Sequence, residues 1–347
     1  MRKWVLLINI LLLGFLELSG QKYFITNQYV HDLFLVNPSD AGSNRECITL
    51  NGFYQKQWFD MDLAPTTQLL AFQAPLKQDL GAGAYLYNDR NGNFNRQGLQ
   101  TSLSSKVVLS KARNGERSLH FGLSAMIDQS SVNMDMLSEP GVNDPVITGE
   151  SNKGVGFNAN AGMMFKINSY RFGAAASNIF SQNNPMYNSE WEPDTGPDFH
   201  LHAGTSWKVP ERELFLSPLL YFRSNQHSDT RLDANLELFM PTLQEGIAFW
   251  GILAYRRTMD QQLGENLGLA TTVGLDYKSF SFGIEHQLGL TQAQQQFGSA
   301  LVAVLRYRIC TGSRKGAYPC TQEDAMLKFS DRKKDRGLKG VDDPGGK

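Results

Sequence analysis

The side chains that could carry chemistry are few and do not converge in the sequence. His200 and His202 stand two residues apart, the spacing that puts both imidazoles on one face of a strand, where they could share a metal ion. No cysteine or acidic cluster is placed to complete a ligand set, so the pair is expected to be polar filling of a strand face. Asp89-Arg90-Asn91-Gly92-Asn93 has the outline of a calcium loop. Such a loop needs a carboxylate at its twelfth position, where Gln100 stands, and an Asn-Gly hairpin turn is the expected structure instead. A hydrolase needs a nucleophile held by a base. The chain has six histidines, and Gly122-Leu123-Ser124-Ala125 lacks the closing glycine of a nucleophile elbow. No catalytic residue, metal site or cofactor is expected. The net charge of −1 gives no electrostatic hint of a nucleic-acid partner.

The elements that would position these groups are strands. Between about residues 47 and 309, segments of roughly ten residues alternate apolar with polar or tiny side chains, the period of a strand with two different faces. In 280–290, Phe280, Phe282, Ile284, Leu288 and Leu290 fall on one face and Ser281, Gly283, Glu285, Gln287 and Gly289 on the other, with His286 as the single break. Similar alternation runs through 119–128, 155–165, 199–207, 232–240 and 267–276. Strands are expected to begin near 47, 66, 80, 97, 118, 154, 170, 199, 213, 230, 245, 266, 280 and 297. The last of these is apolar on both faces in its middle, which leaves its phase open.

Residues 1–20 read as a secretory signal: Arg2 and Lys3, an apolar run from Trp4 to Leu16, then small residues before a cleavage site near Gly20. The run is short for a spanning helix, which needs about 20 apolar residues, and no later stretch is long enough. An exported chain that spans a membrane with strands must close them into a barrel, because lipid offers no partner to an open edge. A soluble β-sandwich has the same period. Three features favour the barrel: the export signal, a polar face rich in Gly, Asn and Gln rather than Lys and Glu, and connections that alternate in length. The long ones, 131–153 and 181–198, fall on one side, and short ones such as 168–169 and 278–279 on the other. The expected fold is an all-β transmembrane antiparallel β-barrel of about fourteen strands, an even number as bacterial single-chain barrels have. Its short turns are expected in the periplasm and its longer loops outside. The expected division is a signal peptide (1–20), a periplasmic N-terminal segment (21–46) whose Val30, Leu33, Phe34 and Val36 could form a short helix or turn against the barrel's inner mouth, the barrel (47–310) and a flexible periplasmic tail (311–347).

Three cysteines, Cys47, Cys310 and Cys320, allow one bridge in an oxidising compartment. Barrel closure makes the first and last strands neighbours, so Cys47–Cys310 could span the seam. Cys310–Cys320, closing a short tail loop, is the alternative.

Several motifs, in order, resemble a known family. Gln28-Tyr29, Phe34 and Asn37-Pro38-Ser39-Asp40-Ala41-Gly42 resemble the opening of PorP/SprF-type proteins, outer-membrane components linked to the type IX secretion system of the Bacteroidota. Gln57-Trp58 followed by Pro65 is similar to that family's first hairpin. Leu80-Gly81-Ala82-Gly83 leading to Asn88, Asp89 and Gly92 is similar to its second, and Trp250-Gly251 with Tyr255-Arg256 to a later element. Ser39 and Asp40 depart from the family's usual residues, and the tail beyond Cys320 is longer than usual. The resemblance implies an outer-membrane location and a role in secreting or anchoring a partner surface protein, such as a gliding adhesin. It also implies contact with the periplasmic ring or a peptidoglycan-binding component, besides the outer-membrane lipid. It favours Cys310–Cys320 as the bridge. A general porin or small-solute channel is the alternative function.

Overall fold

The computed structural model describes residues 27–310 apart from 45–46, 59, 62, 78, 113–114, 134–152, 181–195, 226–229, 243–245, 260–265, 290–295 and 297. The signal, the tail and Cys320 lie outside the described residues. Nearly all else is strand: β1 (Cys47–Lys56), β2 (Thr66–Lys77), β3 (Leu80–Asn91), β4 (Phe94–Ala112), β5 (Gly115–Val132), β6 (Lys153–Ile167), β7 (Tyr170–Ser177), β8 (Asp198–Gly204), β9 (Trp207–Lys208), β10 (Phe215–Asn225), β11 (Arg231–Pro241), β12 (Ile247–Thr258), β13 (Asn266–Tyr277), β14 (Phe280–Leu288) and β15 (Ala300–Cys310). No helix among the described residues is long and apolar enough to cross a membrane.

Each strand pairs antiparallel with its neighbour, and β15 returns to β1, so the sheet closes on itself. β8 and β9 are two pieces of one stave, both paired with β10, so the ring has fourteen staves. The interruption sits opposite Pro218, which has no N–H to give; Thr205 N donates to Pro218 O instead, at 3.2 Å.

The alternation sorts side chains with the polar face inward. Leu123 and Val273 are 70% and 63% exposed on the outside, while Asp233 and Glu285 are 0% and 1% exposed within. A soluble sandwich would bury the opposite set; an apolar exterior around a polar interior is what lipid selects. Trp207, Tyr255, Tyr277 and Phe280, outward near strand ends, suit the membrane interfaces. On β15, Val302 and Val304 point inward into an apolar cluster while Leu301, Leu305 and Ile309 point out, which accounts for the missing phase in the sequence.

Two expectations are corrected. The segment before β1 does not rest at the mouth: residues 27–42 lie inside the barrel, with Tyr29, Leu33, Phe34 and Asn37 fully buried. The Gly-rich inner face makes room for it. Cys310 is bridged to Cys47 rather than to Cys320, because the β1–β15 register sets the two side by side, 4.0 Å apart at Cα. Non-reducing peptide mapping of the full chain is expected to recover Cys47 linked to Cys310 and Cys320 as a free thiol. Cys47→Ser is expected to lower stability by about 2–4 kcal/mol; a Cys310–Cys320 peptide would overturn the assignment.

Candidate functional site: the plugged lumen

The plug is three short 3-10 turns, Asn27–Val30, Leu33–Leu35 and Pro38–Asp40. Short polar side chains hold the turns. Asp32 accepts from Phe34 N at 3.2 Å. Asn37 accepts from Ser39 N at 3.0 Å and from Ser39 Oγ at 2.7 Å, with Pro38 at the first position of the turn it caps. Gly42, at φ 56°, turns the chain out toward β1.

The plug is bonded to many sectors of the wall. Gln28 Nε2 reaches Glu285 at 3.5 Å. Tyr29 donates to Asp233 at 2.6 Å, accepts from Asn235 at 3.1 Å and stacks on Tyr221 with ring centres 4.2 Å apart. The His31 ring meets Trp250 edge-on at 4.7 Å, and its carbonyl accepts from Arg306 at 2.8 Å. Asp32 accepts from Asn51 at 2.5 Å and Gln73 at 2.7 Å. Asn37 Nδ2 donates to Met163 O at 3.1 Å and lies 3.0 Å from His202 Nε2. Ser104 Oγ donates to Ala41 O at 2.5 Å, and Gly42 N to Gln73 Oε1 at 2.9 Å. Burial pushes the Asp32 carboxyl up to about 6, Arg306 and Asn51 pulling the other way; burial and then Arg306 hold the His31 imidazole well below its usual value.

The wall is cut to the plug's backbone. A β-carbon at Gly81 would overlap the Ala41 carbonyl, at Gly83 the Phe34 ring, at Gly122 the Pro38 backbone and at Gly162 the Asn37 side chain. Beside the plug, between His31, Asp32, Asn51, Gln73 and Arg306, lies a void of about 20 Å³, room for one water. Several inward charges are paired: Arg256 with Glu285 at 3.1 Å and Arg308 with Asp276 at 2.8 Å, each between strands, and Arg231 with Asp233 at 2.6 Å along β11. Removing one member of such a buried pair costs about 3–5 kcal/mol.

The sequence motifs divide in space. Gln28, Tyr29, Asn37, Pro38, Ala41 and Gly42 make the plug. The two unusual residues have uses there, Ser39 in the turn and Asp40 paired with Lys166 at 3.6 Å. Gln57, Trp58, Pro65, Asn88, Asp89 and Gly92 instead sit together where β1–β2 and β3–β4 turn, the end that carries the long connections. Gln57 N donates to Pro65 O at 2.9 Å, Trp58 N to Ser299 O at 3.1 Å and Thr67 to Asp89 at 2.6 Å. Gly92, at φ 59°, makes the tight turn between β3 and β4. His200 and His202 point inward. His200 bonds Tyr221 and Ser177, both at 2.7 Å, and His202 meets Asn37 through Nε2; among the described residues no third His, Cys, Asp or Glu joins them in a metal-holding group. The sequence reading missed the plug's receptors, Asn51, Gln73, Tyr221, Asp233, Glu285 and Arg306; glycines recurring on the polar face were the one signal of a close inner partner.

A family model described as Type IX secretion system membrane protein PorP/SprF matches residues 18–307. No curated protein sequence matches the chain. Among solved structures, the monoaromatic hydrocarbon channel CymD is similar with a TM-score of 0.50 at 10% identity, over 84% of this chain and 94% of that one. The Ralstonia pickettii toluene transporter TbuX is similar with a TM-score of 0.47 at 12% identity, over 84% and 95%. CdiB from Acinetobacter baumannii has a TM-score of 0.40 at 9% identity; the match covers 76% of this chain and 60% of that one. The likeness to CymD is one of barrel fold.

Proposed function

As this chain belongs to the PorP/SprF family of type IX secretion system membrane proteins, we propose that it acts as a sealed docking barrel in the outer membrane. It holds a secreted surface protein there, ties the periplasmic ring or a peptidoglycan-binding component to that membrane, or does both, and passes no cargo through its own lumen. The observation that carries this reading is the occupied lumen: residues 27–42 are bonded to wall strands around the ring, from β1 and β2 through β6 and β8 to β11 and β15. In this reading the signal is removed near Gly20, the turn end and the 311–347 tail face the periplasm, and the loop end faces out. The cluster of Gln57, Trp58, Pro65, Asn88, Asp89 and Gly92 then lies on the side where a surface protein is met.

Deleting the gene is expected to strip one large protein from the cell surface, and pull-down from detergent-solubilised outer membranes is expected to recover that protein with the barrel. Surface and secreted proteomes that do not change on deletion would falsify the docking role. The second reading, a small-solute channel, draws on the fold shared with CymD and requires the plug to leave.

A further inference from the structure

The wall from β12 to β15 and on through β1 to β6 is indented on its outer side. The depression holds about 1500 Å³, more than the roughly 300–1,000 Å³ of ordinary ligand clefts. Its floor includes Leu70, Leu86, Leu99, Val273, Ile284 and Leu305, all outward-facing. The cause lies on the inner side of the same strands. Phe53, Leu69 and Val304 point inward and are buried in the apolar cluster around the plug. The Trp250 indole lies directly against Gly274 and Gly283, where a β-carbon would overlap it. With no side chain to hold the wall off the indole, the wall is drawn in, and its outer face is left concave.

At the loop end the depression is rimmed by four carboxamides, Gln68, Asn88, Gln97 and Gln129, one each from the consecutive strands β2, β3, β4 and β5. Gln97 donates to Gln129 at 2.9 Å. Gln68 and Asn88 have no side-chain hydrogen bond with any described residue. A carboxamide turned toward hydrocarbon is costly unless it finds a partner, and four in adjacent staves form a polar shelf above an apolar floor.

We propose that this depression binds an outer-leaflet glycolipid, its acyl chains along the floor and its sugar hydroxyls on the carboxamide shelf. The occupant is a lipid because the floor lies on the outward face of spanning strands, where hydrocarbon chains are what the bilayer supplies. The headgroup is a sugar because a carboxamide both donates and accepts, as a hydroxyl does. Among the described residues the lining contains no Lys or Arg, the groups that single out a phosphate. The leaflet rests on the orientation proposed above, with the loop end outside.

The test is native mass spectrometry of the full-length protein extracted from outer membranes in mild detergent and washed. The wild type is expected to carry a glycolipid adduct. Retention is expected to fall about tenfold in Leu86→Trp, which fills the floor, and in the double variant Gln68→Leu with Asn88→Leu, which strips half the shelf. Heat-modifiable gel mobility reports that each variant is folded, and an unchanged surface proteome separates loss of lipid from loss of docking. Equal retention by wild type and both folded variants overturns the proposal. So does retention of phospholipid alone, or another protein seated in the depression.

Discussion

Excising residues 27–42 from the full chain is expected to turn a sealed barrel into a conducting pore. The fourteen staves keep their backbone ladders without the plug, since each stave is paired with its neighbours around the ring. Lost instead are the apolar side chains of Tyr29, Val30, Leu33, Phe34, Leu35 and Val36 and the bonds to Asn51, Gln73, Asp233 and Arg306. Water then enters a lumen lined by polar side chains such as Asn51, Gln100, Asp233 and Glu285 beside the apolar patch the plug had covered. In planar bilayers the intact protein is expected to show no steady conductance, and the excised protein to show a stable open level. Phe34→Ala keeps the chain full-length and offers an intermediate case: the ring is fully buried against Gly83 and Tyr85, and its loss should cost about 3–5 kcal/mol and give intermittent openings. A steady open level in the unaltered protein would instead favour the small-solute channel.

Gly122→Val is expected to expel the plug while leaving the barrel intact. On strand propensity alone the change favours β structure. Here the new side chain enters the space of the Pro38 backbone, which is tied at Asn37 and Ala41 and cannot step aside. Overpacking of this kind costs about 1–3 kcal/mol or more. Gly52→Val is the matched control, because Gly52 faces outward with its nearest contact at 3.8 Å. Limited proteolysis in detergent should cut within 27–42 in the Gly122 variant and in neither the wild type nor the Gly52 variant. Equal resistance in all three would show that the wall does not read the plug's backbone.

The barrel was legible because its signal is local. Ser281, Glu285 and Gln287 alternate with Phe280, Phe282 and Ile284, and the structure turns the first set in and the second out. The expected starts near 47, 66, 80, 170, 266 and 280 coincide with β1, β2, β3, β7, β13 and β14. The plug was not legible, for a physical reason. Val30, Leu33, Phe34 and Val36 make an apolar group that would serve equally at the barrel mouth or inside it. What decides is the shape of the wall at Gly81, Gly83, Gly122 and Gly162, residues of three strands, β3, β5 and β6, that meet the plug only once the wall is formed. The disulfide shows a different failing. Closure itself puts Cys47 beside Cys310, whereas the family resemblance favours a bridge to Cys320.

The bond from Arg306 has a bearing on how the ring is made. Its guanidinium, on the last strand, donates to Asn51 on the first strand at 3.0 Å and to the His31 carbonyl of the plug at 2.8 Å. Strands β1 and β15 are the most distant in sequence of any that pair, 263 residues apart at the cysteines, and such contacts are the slowest to find. The chain carries its former ahead of its first strand. Residues 27–42 offer the early staves a surface to gather on and the final stave a ready partner for Arg306, so that the circle closes around a mandrel.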